Sequence, residues 1–363
     1  MNIESLIRPE IITMEPYTPI VPFDVLSARL GRAPQDIVKL DANENPYGPL
    51  PKAREALGNL EFAHIYPDPE STALRAALAR HLNLPAENIL AGAGADELID
   101  LILRLFLRPG DAVIDCPPTF GMYSFDTAVN AGRLIQIPRR DNFSIDVSAI
   151  ESLFSFLSSP KLLFIASPNN PDGSLLSDSD LRRLLALPLV VVLDEAYIEF
   201  AGENASRASW VLEHDNLIVL RTFSKCAGLA GLRVGYGLFP SALMPHLWKI
   251  KQPYNVSVAA SAAASASLDD ADYMAQVVAK LVAERNRMAE ALNKLPFLKV
   301  YLSHANFVLC RVIGRDAKSL KLALEREGIL VRYFDKPGLA DCIRISAGKP
   351  EQTDVLIEAL RRL

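Results

Sequence analysis

Through most of the first two thirds of this chain, apolar residues come in short runs with little polar alternation. Asn88 to Gly92, Asp111 to Cys116, Leu162 to Ala166, Leu189 to Leu193 and Leu217 to Arg221 are such runs. A strand with one wet face alternates apolar and polar residues; runs that do not alternate suit strands covered on both faces of a mainly parallel sheet. Between the first two, Asp96 to Leu107 predicts a helix buried on most of its faces. Pro9, Pro16, Pro19 and Pro22 make the first 40 or so residues an extended arm followed by a short helix. Near Val256 the pattern changes. An alanine- and serine-rich stretch, Ser257 to Leu268, precedes a long helical period from Tyr273 to Leu295. Strand-like segments at Leu298–Leu302, Asn306–Val312, Ile329–Tyr333 and Cys342–Ser346 follow, with a helix among them. The pattern predicts an α/β protein in three parts: an arm (1–45), a large domain (46–255) and a smaller α+β domain (256–363).

A length of 363 residues favours two domains over one core. Half the residues are hydrophobic and 22% are charged, the balance of a folded globular chain. A net charge of -5 without runs of like charge argues against a nucleic-acid partner, which calls for a basic face. The most apolar stretch, Leu184 to Leu193, contains Pro188 and stops at Asp194-Glu195. It falls short of the roughly 20 residues of a membrane helix, so no membrane partner is expected. The first nine residues lack a basic segment followed by an apolar one, so they do not read as a secretory signal. Cys116, Cys226, Cys310 and Cys342 are scattered and form no C-x-x-C pair. No metal site or disulfide framework is expected, and the setting is the reducing cytoplasm.

The candidate chemistry centres on Lys225, in Thr222-Phe223-Ser224-Lys225-Cys226-Ala227-Gly228, with Arg233 eight positions on. A lysine amine can form a Schiff base with an aldehyde cofactor, and hydroxyls with an arginine can hold a phosphate. Asp194 and Tyr197 follow the run Leu189 to Leu193, at the strand end where open α/β sheets bind ligands. Ser167-Pro168-Asn169-Asn170-Pro171-Asp172-Gly173 is a turn after another run and offers two side-chain amides. Gly92-Ala93-Gly94-Ala95-Asp96-Glu97 joins a strand to a helix start, a site for a phosphate. It only partly matches G-x-G-x-x-G, because Glu97 stands where the third glycine belongs. Phe120, in Pro117-Pro118-Thr119-Phe120-Gly121-Met122-Tyr123, could stack on a flat ring or belong to the core.

Taken in order, these motifs resemble the fold type I pyridoxal-phosphate enzymes of the aspartate aminotransferase superfamily. Leu40-Asp41-Ala42-Asn43-Glu44-Asn45-Pro46-Tyr47-Gly48-Pro49, the segments around Tyr17 and Tyr66, and the tail from Gly328 to Gly348 are similar to the histidinol-phosphate aminotransferase family. The resemblance runs from about Tyr17 to the C-terminus. It implies a mainly parallel seven-stranded sheet between helices, with a smaller C-terminal domain. It also implies pyridoxal 5'-phosphate as cofactor, with Lys225 as Schiff-base lysine and proton shuttle. Asp194 would pair with the ring nitrogen, and Tyr197 and Asn170 with the phenolic oxygen. Phe120 would stack on the ring. Ala95, Asp96, Thr222, Ser224 and Arg233 would hold the phosphate, and Tyr66 would reach the neighbouring subunit's cofactor in a homodimer. Arg344 is expected on the carboxylate of the amino-acid substrate; Arg332, Tyr17 and Asn43 are expected on the substrate phosphate.

The implied reaction passes the amino group of L-glutamate to imidazole-acetol phosphate, giving L-histidinol phosphate in histidine biosynthesis. This chain departs from the family pattern at Phe120 (often tyrosine), at Asp172 (usually threonine) and at Cys226-Ala227 (more usually alanine and an aromatic). Aromatic amino-acid transamination and threonine-phosphate decarboxylation are therefore alternatives on the same scaffold. A regulatory protein on this scaffold would need a basic DNA-binding domain, for which the short arm leaves no room. A nicotinamide dehydrogenase built on Gly92 and Gly94 would leave Lys225 without a role.

Overall fold

The computed structural model describes residues 2–16, 23–154 and 160–363. The first strand, β1 (Val38–Leu40), lies in the arm. Next come β2 (Ile89–Gly92), β3 (Ala112–Asp115), β4 (Arg133–Gln136), β5 (Leu162–Ala166), β6 (Val190–Asp194), β7 (Leu217–Thr222) and β8 (Gly235–Leu238). The last four are β9 (Leu298–Val300), β10 (Phe307–Val312), β11 (Ile329–Tyr333) and β12 (Cys342–Ser346). Among the described residues they form a seven-stranded sheet, ordered β2-β8-β7-β6-β5-β3-β4, and a five-stranded sheet, ordered β1-β11-β12-β10-β9. In the large sheet β8 runs antiparallel to both its neighbours, while β3 to β7 pair in parallel.

The unalternating runs have the cause expected of them. Leu163, Ile165, Val191 and Val219 belong to one hydrophobic core, and Leu162, Phe164, Val192 and Ile218 to another on the opposite face. Successive side chains point to opposite faces of a strand, so a sheet buried on both sides needs apolar residues at every position. Helix Ala95–Phe106 covers one face through Leu98, Ile99, Leu101, Ile102 and Leu103.

Three elements depart from the pattern-based reading. β4 is the edge strand of the large sheet and only partly buried, so Arg133-Leu134-Ile135-Gln136 carries no apolar run. β8 is Gly235-Tyr236-Gly237-Leu238, and its glycines leave no apolar run to mark a strand. They are required: a Cβ at Gly235 would stand 2.7 Å from the Arg221 carbonyl oxygen, and one at Gly237 2.4 Å from the Phe239 ring. In the arm, Pro9 opens a one-turn helix, Pro9–Ile12, where an extended chain was expected. At the first helical position proline's missing N–H costs nothing and its fixed φ suits the turn.

Helix Val258–Leu268 packs against helices Pro51–Gly58 and Thr72–Leu82, with Ala260, Ala263 and Ala264 buried in the larger core. The long helix Ala271–Asn293 then runs between the cores, placing Met274, Val277 and Leu281 in the larger one and Met288 and Leu292 in that of the small sheet. No helix among the described residues is long and apolar enough to cross a membrane.

For the site, direction matters most. Parallel pairing brings the carboxyl ends of β3, β5, β6 and β7 to one edge of the sheet, with Ala166 in register with Asp194 and Asp194 with Leu220. The alanine face of helix Val258–Leu268 yields a first prediction. Ala263→Leu forces extra methylenes between close-packed helices and should destabilise the fold by about 1–3 kcal/mol. A lowered thermal unfolding midpoint checks it.

Candidate active site

The chain leaves β2 at Gly92 and enters helix Ala95–Phe106 through Gly94, whose φ is +82°. A Cβ on Gly94 would lie 2.6 Å from Arg233 Nη2, and one on Gly235 2.9 Å from the Ala95 nitrogen. Glycine at these places clears a cradle under the first amides of the helix, which have no intrahelical acceptor and suit an anion. Glu97, the residue that breaks the dinucleotide fingerprint, is a brace. Its Oε2 accepts from the Ala93 N–H at 2.5 Å and from Asn255 Nδ2 at 2.7 Å. Arg233 reaches over the cradle and pairs with Asp96 at 2.8 Å, half exposed, where an ion pair is worth little and is readily exchanged for an anion. Thr222 and Ser224, at the end of β7, add hydroxyls 2.9 Å apart.

These groups form one end of a cavity of about 230 Å³. Ala95, Asp96, Thr222, Ser224 and Arg233 line that end, and Phe120, Asn170, Asp194, Tyr197 and Lys225 line the rest. Lys225 Nζ donates to the Ala42 carbonyl at 3.4 Å and lies 5.6 Å from the centre of the Tyr197 ring. The Tyr197 hydroxyl accepts from Asn43 Nδ2 at 3.0 Å. Asn170 Oδ1 accepts from Arg344 Nη1 at 2.5 Å, and Arg344 Nη2 donates to the Asp41 carbonyl at 2.7 Å. Asp194 is buried at the carboxyl end of β6. Its Oδ1 accepts from the Ala196 N–H at 2.9 Å and its Oδ2 from the Tyr123 hydroxyl at 2.6 Å. Burial pushes the Asp194 carboxyl up to about 6, against the pull of these two hydrogen bonds.

The other sequence candidates lie elsewhere. Asn43 is fully buried with a φ of +55°, and Ser346 donates to its Oδ1 at 3.0 Å; it stands behind Tyr197, off the cavity wall. Arg332, also off the wall, is in register with Arg344 on the neighbouring strand, its guanidinium 5.7 Å from the centre of the Phe334 ring. Tyr66 is 80% exposed and stacks on Tyr254 at 4.8 Å, outside the cavity. Tyr17 is outside the described residues.

Sequence reasoning passed over Ala42, Glu44 and Tyr123, which line the cavity as well. The first two flank Asn43 in Asp41-Ala42-Asn43-Glu44-Asn45-Pro46, and that adjacency is the signal the sequence held for them. Tyr123, three residues after Phe120, meets its ring edge-on at 5.6 Å across the start of helix Met122–Val129.

The Asp172 departure also has a place. Asp172 is fully buried and accepts from the Ser174 N–H at 2.9 Å and from Asn169 Nδ2. Asn169 also donates to the Pro118 carbonyl at 3.0 Å and accepts from the Thr119 hydroxyl at 2.7 Å. The carboxylate thereby ties the loop bearing Asn170 to the loop bearing Phe120. Cys226 and Ala227 are small and buried where the amino-terminal segment crosses the lysine loop, and Asn45 Nδ2 donates to the Cys226 carbonyl at 2.9 Å. Gly228, two residues on, has a φ of +69°, and a Cβ there would come within 2.2 Å of the Gly48 carbonyl oxygen.

Comparison with known proteins agrees with this geometry. The family model described as aminotransferase class I and II matches residues 35–360. The chain is 55% identical over 359 residues to the chloroplastic histidinol-phosphate aminotransferase of Nicotiana tabacum, covering 99% of this chain and 86% of that protein. It is 52% identical over 370 residues to histidinol-phosphate aminotransferase of Roseiflexus castenholzii, covering 100% of this chain and 99% of that one. In shape it is similar to the crystal structure of histidinol-phosphate aminotransferase from Sinorhizobium meliloti in complex with pyridoxal-5'-phosphate. That match has a TM-score of 0.88 at 31% identity and covers 99% of this chain and 98% of that one. The chain belongs to the aminotransferase class I and II family.

Proposed function

We propose that this protein is a pyridoxal-phosphate-dependent transaminase that passes the amino group of L-glutamate to imidazole-acetol phosphate. The products are 2-oxoglutarate and L-histidinol phosphate, a step of histidine biosynthesis. The observation that carries this reading is one cavity with Lys225, Asp194, Tyr197 and Asn170 around it and a cleared anion cradle at one end. The similarity to histidinol-phosphate aminotransferases over the whole chain supports the substrate.

The residues fit the cofactor. The Ala95 and Asp96 amides, the Thr222 and Ser224 hydroxyls and Arg233 would hold its phosphate. Asp194 would pair with its ring nitrogen, Tyr197 and Asn170 would bond its phenolic oxygen, and Phe120 would offer the ring an apolar face. When bound, pyridoxal 5'-phosphate supplies the electron sink that lets the carbon next to the substrate's amino group give up its proton. Lys225 would then take that proton on Nζ and return it, acting as base and acid in turn. Arg344 would grip the substrate carboxylate, a task that suits a planar guanidinium, in exchange for one of its contacts to Asn170 and Asp41. Arg332, in register beside Arg344, adds a second cation for the substrate phosphate, with Asn43 supporting Tyr197. The exposed stack of Tyr66 on Tyr254 supports a homodimer in which Tyr66 reaches the partner's cofactor. Four buried free cysteines suit the reducing cytoplasm.

Two measurements test the proposal. Lys225→Ala should abolish the visible absorption of lysine-bound cofactor and lower turnover by at least about 10³-fold; normal turnover would overturn the reading. In a panel with 2-oxoglutarate as acceptor, histidinol phosphate should show a higher kcat/KM than phenylalanine. Equal values would point to an aromatic aminotransferase, and carbon dioxide released from threonine phosphate without use of 2-oxoglutarate would point to a decarboxylase.

A further inference from the structure

Tyr123 has no part in the reading above, yet it touches the residue on which the cofactor's electronics would depend. It lies in helix Met122–Val129, is fully buried, and its hydroxyl donates to Asp194 Oδ2 at 2.6 Å. Its ring stacks on Phe164 at 5.1 Å and meets the Phe120 ring edge-on at 5.6 Å. A phenol without access to water needs an acceptor, and Asp194 is the one it has been given. Burial and the nearby Asp194 charge push the Tyr123 hydroxyl well above its ordinary range, so it remains a donor at any physiological pH.

The effect on Asp194 is twofold. A buried carboxylate unsupported by donors would neutralise itself, and two donors, Tyr123 and the Ala196 N–H, oppose that. They also engage one lone pair on each oxygen, which fixes the plane of the carboxylate at the cavity wall. We infer that Tyr123 is a positioning residue: its hydroxyl keeps Asp194 ionised and aimed so that the ring nitrogen of the bound cofactor is held protonated. The inference rests on the proposed seating of pyridoxal phosphate with its ring nitrogen at Asp194. The contact with Phe120 gives the same residue a second hold, since one tyrosine sets both the carboxylate and the aromatic face that the ring would meet.

The test is Tyr123→Phe, which keeps the packing on Phe164 and Phe120 and removes only the donor. With ¹⁵N-labelled cofactor, the ring-nitrogen resonance of the holoenzyme should move from the protonated range toward the unprotonated one. The cofactor's dissociation constant should rise about 10-fold, and kcat should fall with KM nearly unchanged. Phe164→Leu, which disturbs the packing and spares the hydroxyl, should leave the resonance in place. In an Asp194→Asn background, Tyr123→Phe should no longer change the dissociation constant; additive losses would show that Tyr123 acts on folding rather than on Asp194. An unmoved resonance in Tyr123→Phe overturns this inference alone. An unprotonated ring nitrogen in the unmutated enzyme overturns the seating on which it rests.

Discussion

Behind the cavity a carboxylate and a guanidinium are buried together, and the ends of two strands depend on them. Glu195 accepts from Arg221 Nε at 3.1 Å and Nη2 at 3.0 Å, from the Ser206 hydroxyl at 2.8 Å and from the Arg207 N–H at 2.6 Å. Glu199 lies 3.6 Å from the same guanidinium. Glu195 directly follows Asp194, and Arg221 directly precedes Thr222, so the pair clasps β6 to β7 immediately beside the residues that face the cavity. Such a pair adds little net stability over an apolar replacement, but removing one partner strands a buried charge and costs about 3–5 kcal/mol. The constraint is geometric: it holds two strand ends in place without occupying the space they surround.

The parts of the fold legible in the sequence are those in which a single physical cause acts alone. Burial on both faces dictates β2, β3, β5, β6 and β7 residue by residue, and those runs stand out. Where two causes compete, the pattern fails. In β8 the glycines that permit close approach to Arg221 and Phe239 erase the apolar signal, and at the edge strand β4 half the side chains meet solvent. β1 is only three residues long and is held in place by β11, nearly 300 residues further on.

The site divides the same way. Lys225, Asp194, Asn170 and the Gly92–Glu97 turn were readable because each sits at the end of a readable strand. What was not readable is how these ends are supported. The hydrogen bond from Tyr123 to Asp194 joins residues 71 positions apart on a helix and a strand, and no local pattern encodes it. Asn43 is instructive in another way. The resemblance implies a substrate contact there, and nothing local in the sequence announces the bonds it makes within the chain to Tyr197, Ser346 and Asn306.

The crossing of Gly48 over Gly228 has a consequence for how the enzyme comes into being. The carbonyl that roofs the lysine loop and the glycine beneath it are 180 residues apart in the chain, and the gap between them would not admit one methyl group. Contacts so distant in sequence pay their loop-closure entropy before they are rewarded, so they form late. The lysine loop can therefore be in place on its sheet well before the amino-terminal segment closes over it. A chain folding as it is synthesised has the segment first and its seat last, and it must hold the one unattached until the other exists.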